Sequence, residues 1–143
     1  MPRGHRGRWI TTIAIVGGFP VTISSTSVLL IDFSFYITGV DGVRVPVDHD
    51  GDGVTANDDC INVSALPWNE GETAITLGAS AEFGPKDEPH RFDGLLNTPL
   101  RRLVLFDANV PPILSMDVPG KRTRVRIWTN RRLCPDQVII AVG

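Results

Sequence analysis

Asp48, Asp50 and Asp52 stand at alternate positions in the run Asp48-His49-Asp50-Gly51-Asp52-Gly53. Carboxylates with that spacing converge on one hard cation when a glycine at the sixth position turns the chain sharply. Counted as a calcium loop, Asp48, Asp50 and Asp52 fill positions 1, 3 and 5. Val54 then offers its carbonyl at position 7, and Asp59 falls at position 12. The ion this pattern predicts is Ca2+. The flanks carry no helical periodicity, so a helix–loop–helix sensor is not predicted, and the plain alternative is a solvated acidic hairpin.

A second group with chemical potential is Arg122, Arg124, Arg126 and Trp128, on one side of a strictly alternating segment whose other side is Thr123, Val125, Ile127 and Thr129. Arginines pair with phosphates and tryptophan stacks on bases. A net charge of −2 makes nucleic acid an unlikely partner for the whole chain. The row reads better as an exposed strand face, or as one that meets acids on a neighbour. No catalytic constellation emerges. Ser24, Ser25 and Ser27 lack the glycine context of a nucleophile elbow, His5, His49 and His90 are scattered, and no phosphate-cradling glycine loop is present. A zinc site is not predicted, because the only cysteines, Cys60 and Cys134, are far apart in sequence and could form at most one disulfide.

The elements that must hold these residues read as strands. Residues 9–16 are rich in Ile and Thr and end at Gly17-Gly18. Arg3, Arg6 and Arg8 ahead of residues 10–16 imitate a targeting signal. However, Thr11 and Thr12 dilute the apolar run, Gly17 to Pro20 breaks it, and it is too short to cross a bilayer. In residues 21–38, the most apolar piece, Leu29, Ile31, Phe33, Phe35 and Ile37 form one face and Tyr36 belongs to the other, which predicts a strand with one buried side. Residues 43–47, with Pro46, suggest an edge piece. Short strands are predicted at 61–66, 73–77, 100–106, 113–118, 121–129 and 138–142, with a turn at 67–72 and a surface loop at 84–93. The fold class is all-β: a single β-sandwich or barrel-like domain of short antiparallel strands over residues 9–143, with a flexible basic arm at 1–8. An apolar content of 42% with 21% charged residues supports one packed core and argues against wholesale disorder.

Charge is segregated along the chain. Acids crowd the middle, from Asp41 through Asp48 to Asp93, while the basic residues crowd the two ends. That split favours copies meeting positive end to negative middle. The candidate interface is therefore Arg3, Arg6, Arg8 and Trp9 together with Arg122, Arg124, Arg126 and Trp128. The Tyr36 face is a further surface that assembly would bury.

Two resemblances follow from these motifs. The acidic run resembles the calcium loops of thrombospondin type 3 repeats and dockerins, over about a dozen residues and without their tandem repetition. More of the chain is similar to small β-rich tailed-phage virion proteins. The similar pieces are residues 18–28 with the alternating strand after them, Val54-Thr55-Ala56, Leu66-Pro67-Trp68-Asn69-Glu70-Gly71-Glu72-Thr73 through Leu77, and Val125-Arg126-Ile127-Trp128. The acidic loop at 48–59 and the loop at 84–93 depart from that pattern as insertions. The resemblance implies a non-enzymatic capsid decoration or cement subunit located on the virion. Its partners would be copies of itself and a major capsid or other lattice protein, with no membrane insertion. The alternative is a secreted or cell-surface calcium-binding β-module, stabilised by the acidic loop and a Cys60–Cys134 bridge.

Overall fold

The computed structural model describes residues 10–16, 19–47, 53–83, 89–108 and 112–143, with side chains from residue 23 onward. Its strands are β1 (Ile10–Val16), β2 (Phe19–Val28), β3 (Ser34–Thr38), β4 (Val54–Ala56), β5 (Cys60–Ser64), β6 (Thr73–Ala79), β7 (Phe92–Asn97), β8 (Arg102–Phe106), β9 (Leu114–Asp117), β10 (Arg122–Thr129) and β11 (Gln137–Val142). Single 3-10 turns at Trp68–Glu70 and Ser80–Glu82 interrupt them. Among the described residues they form a six-stranded sheet, β1-β2-β6-β11-β10-β7, and a five-stranded sheet, β4-β5-β3-β8-β9. The all-β sandwich expected from the sequence is the fold adopted. Its pairing departs from that expectation at one place, where β6 and β11 run parallel, Ile75 opposite Val138 and Leu77 opposite Ile140. Parallel neighbours need a long crossover, and the chain supplies it by laying β7 to β10 between them.

Alternation explains the core. Phe35, Ile37, Ile61, Val63, Leu103 and Leu105 from the smaller sheet pack against Ile75, Leu77, Leu96, Val125, Ile127 and Ile140 from the larger. Burying each such side chain contributes roughly 1.5–3 kcal/mol relative to leaving it in water. β10 shows the pattern most plainly, with Thr123, Val125 and Ile127 buried while Arg122 and Arg124 face solvent.

The predicted strand through residues 29–37 is broken. The chain turns at 31–33, so Ile31 and Phe33 are exposed, Leu30 is buried in their place, and only Phe35 and Ile37 keep the predicted face. Phe33 makes the turn with a φ of 61° and donates its N–H to the Leu30 carbonyl at 3.2 Å. Residues 43–47 form no strand. Side chains replace the ladder there, Asn57 donating to the Arg44 carbonyl and Asn62 to that of Pro46. The surface loop ends sooner than expected, since Phe92 and Asp93 already belong to β7. Gly39 allows the chain leaving β3 to lie against Thr98, where a Cβ would come within 2.4 Å of the Asn97 carbonyl.

Candidate protein-interaction surface

The strand registers sort the loops between two ends of the sandwich. Ser34 pairs with Ser64, Val28 with Thr73 and Thr129 with Val138, so loops 29–33, 65–72 and 130–136 gather at one end. Backbone hydrogen bonds tie them together. Ala65 donates to the Phe33 carbonyl at 2.8 Å, Leu66 to that of Pro135 at 3.0 Å and Ala74 to that of Asp136 at 2.8 Å. Gly53 joins this end as well. Its carbonyl accepts from Ser64 at 2.7 Å, and a Cβ on it would lie 3.5 Å from the Arg132 carbonyl.

Seven large apolar side chains are exposed among the described residues. Ile31, Phe33, Trp68 and Leu133 belong to the loops of this end; Val47 follows Pro46, whose carbonyl accepts from Asn62 in the middle of β5, and Leu95 and Leu100 lie elsewhere. Phe33 is 50% exposed and Leu133 64%. Side chains of this kind are rarely gathered on a surface that meets only water. Phe33 itself and Cys134, next to Leu133, are held at φ of 61° and 48°, and among the described residues Arg101 at the opposite end is the third non-glycine residue with positive φ, at 54°. The left-handed region costs a residue with a Cβ about 1–2 kcal/mol, and such strain collects at binding and switch segments. Asp32, Glu70, Glu72, Arg131 and Arg132 are exposed in the same loops. Apolar anchors on a rigid frame, with charged groups of both signs among them, have the make-up of a protein interface.

The predicted site residues are dispersed. Asp59 stands apart from Val54, the described residue expected to share a calcium ion with it. β4 occupies Val54–Ala56, and Asp59 lies beyond it at the far end of the β4–β5 hairpin from Gly53. Two ligands of one ion lie within about 5 Å of each other, since each is about 2.3–2.6 Å from it, whereas β4 and the turn after it hold the Val54 carbonyl and Asp59 farther apart than that. Asp59 instead accepts a 2.9 Å hydrogen bond from Asn97. Asp48, Asp50 and Asp52 lie outside the described residues, as do Arg3, Arg6, Arg8 and Trp9. Among the described residues no group of three or more His, Cys, Asp or Glu side chains is placed to hold a metal ion.

Cys60 and Cys134 are free thiols, not a bridge. Cys60 is buried in β5 and Cys134 exposed in the 130–136 loop. Burial, and after it the Asp59 charge, pushes the Cys60 thiol up to about 11.

Arg122, Arg124 and Arg126 do share the outer face of the larger sheet, but Trp128 is covered. The Arg126 guanidinium lies 5.9 Å from its ring centre and His90 6.2 Å away. On the smaller sheet, half-buried Tyr36 packs on Phe106 with ring centres 5.1 Å apart. Phe106 also lines a mainly apolar groove of about 680 Å³ with Val104, Leu100, Val40 and Pro112. Among the described residues no helix is long and apolar enough to cross a membrane.

Sequence periodicity placed Ile31 and Phe33 in the core and gave no role to Trp68 or Leu133. The available signal was chemical, a tryptophan between Pro67 and Asn69 and a leucine between Arg132 and Cys134, both in turn segments with nothing to bury them.

No family model matches the chain, and no curated protein matches it. Among solved structures, the crystal structure of ComJ, inhibitor of the DNA degrading activity of NucA, from Bacillus subtilis, is similar to it with a TM-score of 0.61. The likeness covers 93% of this chain and 97% of ComJ at 15% sequence identity. At that identity the shared property is the fold.

Proposed function

We propose that this chain is a non-enzymatic protein-binding module that acts by covering a partner's surface with its loop end. The observation that carries the proposal is the gathering of Ile31, Phe33, Trp68 and Leu133 in the loops at one end of the sandwich, where Phe33 and Cys134 hold positive φ. Truncation of such anchors removes most of the binding energy of an interface. The likeness to ComJ, which runs almost the full length of both chains, supports an inhibitor-like role and makes a DNA-degrading nuclease the first partner class. The sequence resemblance to small virion proteins supplies the second class, a capsid lattice bound by the same surface.

Titrating the purified chain into DNA degradation by the nuclease of its own host separates the two. The proposal expects cleavage to fall to background near one equivalent of chain. It also expects Phe33→Asp with Leu133→Asp to abolish the effect while the fold is kept. Binding to capsid lattices without any inhibition would assign the lattice role instead. Failure of both tests, or full activity of the double variant, would overturn the proposal.

A further inference from the structure

The outer face of the larger sheet carries a second surface, remote from the exposed apolar groups of the loop end. Arg122, Arg124 and Arg126 alternate along β10 and stand about 7 Å apart. Asn97, Leu95 and Asp93 of β7 lie across from them in register. Arg124 grips Asp93 with both Nε, at 2.8 Å, and Nη2. That pair holds the Asp93 carboxyl below the usual carboxylate range, the hydrogen bond from Arg124 being the main cause. Among the described residues neither Arg122 nor Arg126 has a carboxylate within 4.0 Å, although Arg126 stands in register opposite Asp93 and attracts it at longer range, and the buried Arg126 Nε has no hydrogen-bond acceptor. Leu95, 53% exposed, sits opposite Arg124 between the two.

We infer that this face binds an extended acidic segment of a partner protein. Alternate side chains of an extended segment repeat at the same spacing of about 7 Å. Carboxylates four residues apart on one side of such a segment therefore reach Arg122 and Arg126 together, while the apolar side chain midway between them on that side rests on Leu95. Arginine favours this pairing because its planar fork takes a carboxylate through two hydrogen bonds. Nucleic acid fits the face less well. Trp128 is only 9% exposed beneath Arg126 and offers no open ring for a base to stack on.

The test uses the full chain and a fluorescein-labelled peptide of Asp-Ser-Val-Ser repeats, which puts aspartate and valine alternately on one face of the extended chain, followed by anisotropy at neutral pH and low salt. The peptide should bind, should weaken on adding salt, and should lose more than about tenfold in affinity to Arg122→Glu with Arg126→Gln. Arg122→Glu alone, a change at an exposed position, should already weaken it, which keeps the test decisive if the double variant unfolds. The Phe33→Asp variant should bind the peptide normally, so this site stands or falls apart from the loop end. Equal binding of the same peptide with asparagine in place of aspartate, unchanged binding to the arginine variants, tighter binding of a single-stranded oligonucleotide, or self-association of the chain through this face would each overturn the inference.

Discussion

Phe33 and Ala65 are joined by a 2.8 Å hydrogen bond from the Ala65 N–H to the Phe33 carbonyl, and this bond fixes a half-exposed aromatic ring at the meeting point of two loops. The ring is held out by a backbone that a glycine would adopt more easily. Stability is given up at a position where an apolar side chain gains nothing from the core, and that exchange points to a partner.

Phe33→Gly should therefore stabilise the chain and weaken its binding. Relief of the positive φ is worth about 1 kcal/mol, part of which the greater freedom of glycine in the unfolded chain takes back. A urea titration should show an unchanged or higher midpoint, while affinity for the partner falls. A large drop in stability would mean that the ring is a core group after all.

The two cysteines should behave oppositely. Cys134 should react with a thiol reagent in the folded protein and Cys60 only after unfolding, since one is exposed and the other buried. The folded Cys60 thiol holds its proton up to about 11, against an ordinary value of 9.0. Between those values the folded chain binds more protons than the unfolded one. Stability is then untouched by this group below pH 9 and falls as pH rises toward 11, with a slope of at most about 1.4 kcal/mol per pH unit. Comparing urea midpoints of the parent and Cys60→Ala across that range isolates the effect, because the variant should lack it.

How far the sequence revealed the molecule depended on whether side chains obeyed one face at a time. β10 and β11 were legible because Thr123, Val125, Ile127 and Val138, Ile140, Val142 alternate or cluster without interruption. β7 was not, since Asp93-Gly94-Leu95 carries one charge, one glycine and one exposed leucine and mimics a loop. The β2–β3 turn was hidden because Phe33, not glycine or asparagine, takes the left-handed position, so an apolar alternation ran through it unbroken. The loop end escaped for the same reason. Its residues are apolar, and only the tertiary registers show that the core cannot reach them.

Asp59 should be indifferent to calcium. Asp59→Ala removes the hydrogen bond from Asn97, and a bond of that kind contributes about 0.5–1.5 kcal/mol. Melting curves should show the same decrease in millimolar calcium as in chelator. A calcium-induced rise in melting temperature that disappears in this variant would restore Asp59 as the twelfth-position ligand. A rise that survives it would assign the ion to Asp48, Asp50 and Asp52 alone.

The loop end is tested most directly by calorimetric titration of the proposed partner, a DNA-degrading nuclease that the chain is found to inhibit, into two variants that differ only in which end of the sandwich they alter. Phe33→Asp changes the loop end, and Leu100→Asp changes a still more exposed leucine at the opposite end. A protein that binds through the loop end should lose at least about 2 kcal/mol of binding free energy with Phe33→Asp and keep its affinity with Leu100→Asp. The reverse pattern, or equal losses from both, would contradict the assignment.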